Sequence, residues 1–221
     1  MAKSGCDVHF LVRSGRAAIT ARGIRIKTPT ERIQIKKVHA YATTAEIGPV
    51  DLVIVALKAT ANDMLAKLLP PLMGENTLVL TLQNGLGVEE PVAEVVGAEH
   101  VLGAICFIGC MRRGPGVVDC SFPGLIMIGE FGRPAGARTR QVARLFEKAG
   151  VKCDAQENLE ELRWKKLVWN VPFNGLAIAA GGITTDILIA DEGLRALARR
   201  LMEEVVEAAA KFGHAIPRAF L

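Results

Sequence analysis

A doubly wound α/β domain followed by an all-helical domain is the fold class this sequence predicts. Three observations point to it. Apolar runs such as Asp51–Leu57 and Thr77–Leu82 alternate with helical patterns, as strands of a parallel sheet do. Polar or charged residues (Arg13, Lys58, Asn84) stand at the ends of three such runs. After Gln156 the strand signals stop, and everything to Leu221 reads as helix and connecting turn. A boundary is therefore placed near Glu157, dividing the chain into residues 1–156 and 157–221.

Composition supports a globular protein. Half of the 221 residues are hydrophobic, 23% are charged and the formal net charge is +4. That charge suits an anionic small molecule. No Lys/Arg-rich run or aromatic-basic interleaving argues for nucleic acid, and no apolar stretch is long enough for a membrane span. The five cysteines, scattered and without an apolar leader, read as reduced and mostly buried in a cytoplasmic protein. Cys106 and Cys110 are four apart, but no His or further Cys completes a zinc set, so no metal is expected.

In chain order, Cys6–Val12 reads as a strand of the parallel sheet, with Arg13 and Ser14 at its carboxyl end. A short helix from Arg16 to Ala21 stops at Gly23. Ile24–Thr28 and Glu31–Val38 form an antiparallel excursion around Pro29. The strand Asp51–Leu57 ends at Lys58. Asn62 is read as the cap of a helix through Leu69, stopped by Pro70-Pro71. The strand Thr77–Leu82 leads into Gln83-Asn84-Gly85, then a helix over Glu89–Val96 and a strand over Val101–Phe107. Val117–Ser121 and Leu125–Ile128 are read as a hairpin pair. A helix over Arg138–Ala149 and a short strand over Val151–Cys153 follow. In the helical half, Val205–Lys211 is amphipathic and His214 is expected on the surface.

The helical stretch from Glu161 onward carries the strongest functional pattern. Asn158 is its expected N-cap, with Glu161 as capping-box partner. Lys166, Asn170 and Asn174 recur every four residues and share one face, so an ammonium and two carboxamides can grip a small, oxygen-rich anion. Pro172 removes an N–H and should loosen the second half. In doubly wound sheets ligands lie outside the carboxyl ends of the strands, which is where Arg13, Lys58 and Asn84 stand. A strand ending in Arg13, not in Asp or Glu, fits a 2′-phosphate better than a free ribose diol. The Gly-x-Gly-x-x-Gly turn that opens a dinucleotide-binding sheet is absent from the 221 residues.

Four segments together resemble the ketopantoate reductase (2-dehydropantoate 2-reductase) family. They are Leu57-Lys58-Ala59, Leu82-Gln83-Asn84-Gly85-Leu86-Gly87-Val88-Glu89-Glu90, Val101-Leu102-Gly103, and Arg163-Trp164-Lys165-Lys166-Leu167 with Asn170 and Asn174. The resemblance implies a Rossmann-like first domain and NADPH-dependent reduction of ketopantoate to pantoate, a step toward pantothenate and coenzyme A. It implies Lys166 as general acid, Asn170 and Asn174 as substrate holders, and Lys58 and Asn84 lining the cofactor and substrate site. Arg13 would meet the 2′-phosphate of NADPH. The partner expected is a small 2-keto acid, with a homodimer left open. A non-catalytic binding or assembly protein and a related 2-keto-acid reductase are the alternatives. The family's glycine-rich first strand would precede Met1, and its last helical section would follow Leu221. The chain is thus expected to be a fragment that binds NADPH poorly, turns over little or no ketopantoate, and is unstable or aggregates unless another chain supplies the missing parts.

Overall fold

A computed structural model describes residues 1–221, the side chain of Pro123 excepted. The chain forms two compact units, Met1–Glu157 and Asn158–Leu221. In the first unit the elements run β1 (His9–Leu11), α1 (Arg16–Arg22), β2 (Ile24–Lys27), β3 (Arg32–Ile35) and β4 (His39–Tyr41). They continue with β5 (Leu52–Val55), α2 (Leu65–Leu68), β6 (Leu78–Thr81), α3 (Glu90–Val96) and β7 (Val101–Gly114). The last are β8 (Val117–Glu130), α4 (Ala137–Lys148) and β9 (Cys153–Ala155).

The main sheet has the order β3-β2-β8-β7-β6-β5, with β9 on β8. Strands β5, β6 and β7 are parallel neighbours, which explains their unbroken apolar sequences: both faces are covered. On one face Leu80, Leu102 and Ile128 pack with Val142, Ala143 and Phe146 of α4. On the other, Val53, Val55, Val79 and Val101 pack with Leu65, Leu69, Leu72 and Val92. Fully burying each such leucine, isoleucine or valine contributes roughly 1.5–3 kcal/mol. The alternation along β6 therefore sends Leu78 and Leu80 to one core and Val79 to the other.

Two of the strands depart from the sequence reading. Val117–Ser121 and Leu125–Ile128 do not pair with each other. Both belong to β8, which lies antiparallel along the whole of β7 from Leu102↔Glu130 to Gly114↔Val117. The turn signal between them is absorbed as an irregularity, where the ladder slips between Phe107↔Leu125 and Gly109↔Phe122. Gly124 is required there: its φ is +59°, and a Cβ would sit 1.4 Å from the Phe107 carbonyl oxygen. The second departure is at the start. The strand read over Cys6–Val12 is three residues long and lies outside the main sheet. It pairs in parallel with β4, with His9, Phe10 and Leu11 opposite His39, Ala40 and Tyr41.

Beyond the sheet, β8 is tied to α4 through Glu130, whose side chain is 2% exposed. Its carboxylate accepts from Arg138 Nε at 3.0 Å, from Arg133 Nε at 3.2 Å and from the Thr139 hydroxyl. Burial alone would raise its pKa. The bonds from Arg138, Thr139 and Arg133 outweigh that and hold it below the usual glutamate value.

The second unit comprises α5 (Leu159–Asn170), a π-helical turn over Val171–Leu176, α6 (Ala177–Ala179), α7 (Thr185–Ala190) and α8 (Glu192–Lys211). Asn158 caps α5, its side-chain oxygen accepting from the Glu161 N–H at 3.0 Å. The Glu161 carboxylate pairs with Lys165, one turn on. Asp191 caps α8 through the Leu194 N–H at 2.8 Å. Trp164 and Val168 of α5 pack with Ala209 and Ile216, and Phe212 stacks on Trp164 with ring centroids 5.6 Å apart. His214 is not the surface residue expected. Gly213 turns the chain back toward buried Ile216, and the His214 side chain, only 13% exposed, meets Glu160 at 3.2 Å.

Candidate active site

In the first unit the candidate residues stand beyond the carboxyl ends of strands. The register Val55↔Thr81 between parallel β5 and β6 makes Lys58 and Asn84 equivalent: each lies three residues past the matched pair. Both are exposed. The two loops are joined by Gln83, a residue the sequence reading did not single out. It is 4% exposed, and its Nε2 donates to the Leu57 carbonyl at 3.0 Å and to Asn62 Oδ1 at 2.7 Å. Its Oε1 accepts from the Thr81 hydroxyl at 3.2 Å. Asn62 is therefore no helix cap. It lies inside a 3₁₀ turn over Ala59–Met64 and spends its side-chain oxygen on Gln83. The period of two placing Gln83 beside buried Thr81 was the available signal; its partners come from a loop more than twenty residues earlier.

Arg13 is exposed just past β1, whose ladder is continued by the Val12 N–H donating to Tyr41 at 2.9 Å. Strand pairing does not bring it beside Lys58 and Asn84, because β1 pairs with β4 alone among the described strands. Glu46, in the turn after β4, accepts from Thr43 N–H and Oγ1 and from Ala42 N–H. Those bonds, the Thr43 backbone first, and the charge of Arg16 hold its pKa low, so the turn carries a carboxylate.

In the second unit, α5 buries Leu159, Leu162, Arg163, Trp164 and Val168. Lys166 and Asn170 are half-buried and Asn174 is exposed. Pro172 cannot donate to the helix ladder, and the chain passes through the π turn at that point. The wider turn still keeps the two amides together: Asn174 Nδ2 donates to Asn170 Oδ1 at 3.3 Å. Lys165 is directed elsewhere, into its pair with Glu161. The row read from the sequence is thus a physical row, with an ammonium and two carboxamides along one side of the helix.

A mixed sheet wound with helices on both faces, followed by a helical unit, is the Rossmann-like architecture shared by nicotinamide-dependent oxidoreductases. The chain matches the family "Ketopantoate reductase PanE/ApbA" over residues 1–133 and its "C terminal" part over residues 158–221. It belongs to the ketopantoate reductase family. A 2-dehydropantoate 2-reductase of Nostoc sp. is 38% identical over 224 residues, covering 99% of this chain and 70% of that protein. One of Mesorhizobium japonicum is 31% identical, covering 90% and 67%. The crystal structure of 2-dehydropantoate 2-reductase from Geobacter metallireducens superposes with a TM-score of 0.95 at 39% identity, over 99% of this chain and 73% of that one. No helix among the described residues is long and apolar enough to cross a membrane.

Proposed function

We propose that this chain reduces 2-dehydropantoate to pantoate with NADPH, residues 1–156 serving the dinucleotide and residues 157–221 the keto acid. The row Lys166–Asn170–Asn174 carries the reading. A ketone accepting a hydride develops charge on its oxygen, and an ammonium beside that oxygen both stabilises and protonates it. Lys166 is the proton donor. Asn170 and Asn174 supply N–H groups to the oxygens of the acid. With its Oδ1 engaged by Asn174, Asn170 keeps its NH₂ as the group to offer a substrate oxygen.

The side chains of the first unit suit the ends of the cofactor. Arg13 offers an exposed guanidinium for the 2′-phosphate. Lys58 and Asn84 offer exposed donors at adjacent strand ends, held in place by Gln83. The 221 residues contain no Gly-x-Gly-x-x-Gly turn for a pyrophosphate, so the assignment is confined to those three side chains. When bound, the dihydronicotinamide supplies the hydride to the carbonyl carbon.

Steady-state kinetics of Lys166→Ala test the reading. Turnover of ketopantoate should fall ~10²–10⁴-fold, with the circular dichroism of the folded chain unchanged. Lys165→Ala, which removes only the pair with Glu161, should stay close to the parent. Near-parental kcat in Lys166→Ala rejects the assignment.

A further inference from the structure

Three potential metal ligands meet at the amino end of the β1–β4 pair, away from the strand ends discussed above. His9 and His39 are the first residues of their strands and lie directly opposite each other. Asp7 sits between their rings: its Oδ2 is 3.1 Å from His9 Nε2 and its Oδ1 is 3.0 Å from His39 Nδ1. The three ligand atoms fall within 4.8 Å of one another. We propose that Asp7, His9 and His39 bind a divalent transition-metal ion of the zinc class.

The donor set selects that class. Two imidazoles favour zinc, cobalt or nickel over magnesium or calcium, which prefer oxygen-only surroundings. Spacing agrees as well. Donors about 2.0–2.2 Å from a tetrahedral ion lie ~3.3 Å apart. Each imidazole nitrogen stands near that distance from one of the two Asp7 oxygens, and one ligand atom from each residue falls within 4.8 Å of the others, so adjustment of the exposed Asp7 and His39 side chains closes the set. A ligating histidine is usually oriented through its other nitrogen, and His9 Nδ1 is 3.1 Å from the Tyr41 hydroxyl. With Nε2 on the ion, Nδ1–H donates to that oxygen. The Asp7 and His39 side chains are 69% and 56% exposed, so an ion has direct access and water can complete its shell. Bound there, it clamps together two strands of only three residues each. No spacing in the sequence announces the set, because its members come from segments thirty residues apart that only the strand pairing unites. The facing thiols of Cys110 and Cys120, 2.9 Å apart, are the main competitor for a soft ion. Burial, then the bond to Cys120, pushes the Cys110 thiol up to about 11, which withholds its thiolate at neutral pH.

The test uses the full chain without a histidine tag, stripped of metal and titrated with Zn²⁺ by calorimetry and with Co²⁺ by visible absorption. One equivalent should bind, and Zn²⁺ should raise the melting temperature. His39→Ala, a change at an exposed side chain, should weaken binding at least tenfold and abolish the thermal shift. Tyr41→Phe should weaken it about 10–100-fold while leaving stoichiometry intact. Binding that survives His39→Ala overturns the proposal. So does failure to bind one equivalent, or a sulfur-to-cobalt charge-transfer band showing that the cysteines hold the ion.

Discussion

At the scale of single residues, position along a strand decided what could be read from the sequence. Lys58 and Asn84 were legible as strand-end residues because each follows an apolar run whose end is unmistakable, and the β5–β6 register puts each three residues past the matched pair Val55↔Thr81. Gln83 was not, because its role lies in partners supplied by the loop around Asn62. Arg13 lies exposed past β1, outside the main sheet, and its assignment makes a separable prediction. A guanidinium that meets the 2′-phosphate touches the one group by which NADPH differs from NADH. Arg13→Ala should therefore weaken NADPH binding by ~1.5–3 kcal/mol, the range for a charge-assisted hydrogen bond, with little effect on NADH. Fluorescence titration with both cofactors, on a form that binds them, measures the difference. Equal losses would remove Arg13 from the 2′-phosphate.

At the scale of elements, long periodic segments were legible and short or irregular ones were not. α4 and α5 announce themselves through apolar spacing and through caps such as Asn158, and α8 through the amphipathic stretch Val205–Lys211 at its end. β4 is three residues long, too short for a period of two to register. Within β8 the sequence Phe-Pro-Gly is a strong local turn signal, so the strand does not read as continuous from the sequence. Strand pairing along β7 overrides that signal, with Gly124 taking up the irregularity. The junction of β8 and α4 carries a pH prediction. Glu130 is held below its unfolded value of 4.5 by Arg138, Thr139 and Arg133 despite its burial. A carboxylate with a depressed folded pKa stabilises the fold fully above the unfolded value, and loses that contribution as pH falls through the folded one. Glu130→Gln should thus cost about 1.5–3 kcal/mol at neutral pH, the scale of one hydrogen bond to a charged group. In urea unfolding, the gap between parent and variant should narrow as the solution is acidified below pH 4.5. A gap independent of pH would mean that the ionised form contributes nothing.

At the scale of the whole molecule, the alternation of strands and helices identified the layered first unit, and the loss of strand signals identified the helical second. Sheet order was not legible, since apolar runs do not say which strand lies at an edge. The structure puts β5 at the end of the main sheet, pairing with β6 alone among the described strands. Its free side offers the backbone groups of Leu52–Val55, with no charge between Asp51 and Lys58 to discourage pairing. Val53 and Val55 are buried toward α2 and α3. Ile54 faces the other way: it is 37% exposed, although its partner Leu80 in the adjacent strand is fully covered. An open, uncharged edge with an exposed isoleucine is a template for pairing with another chain. Residues 1–221 should therefore associate as concentration rises, and Ile54→Lys should reduce that association. A lysine here can extend its stem over the sheet and keep its charge in water, so the thermal melt should shift little. Light scattering across a concentration series, with the melting curve as control, tests both parts. If the parent stays monomeric throughout, or the lysine leaves its association unchanged, the β5 edge is not the contact and another surface governs self-association.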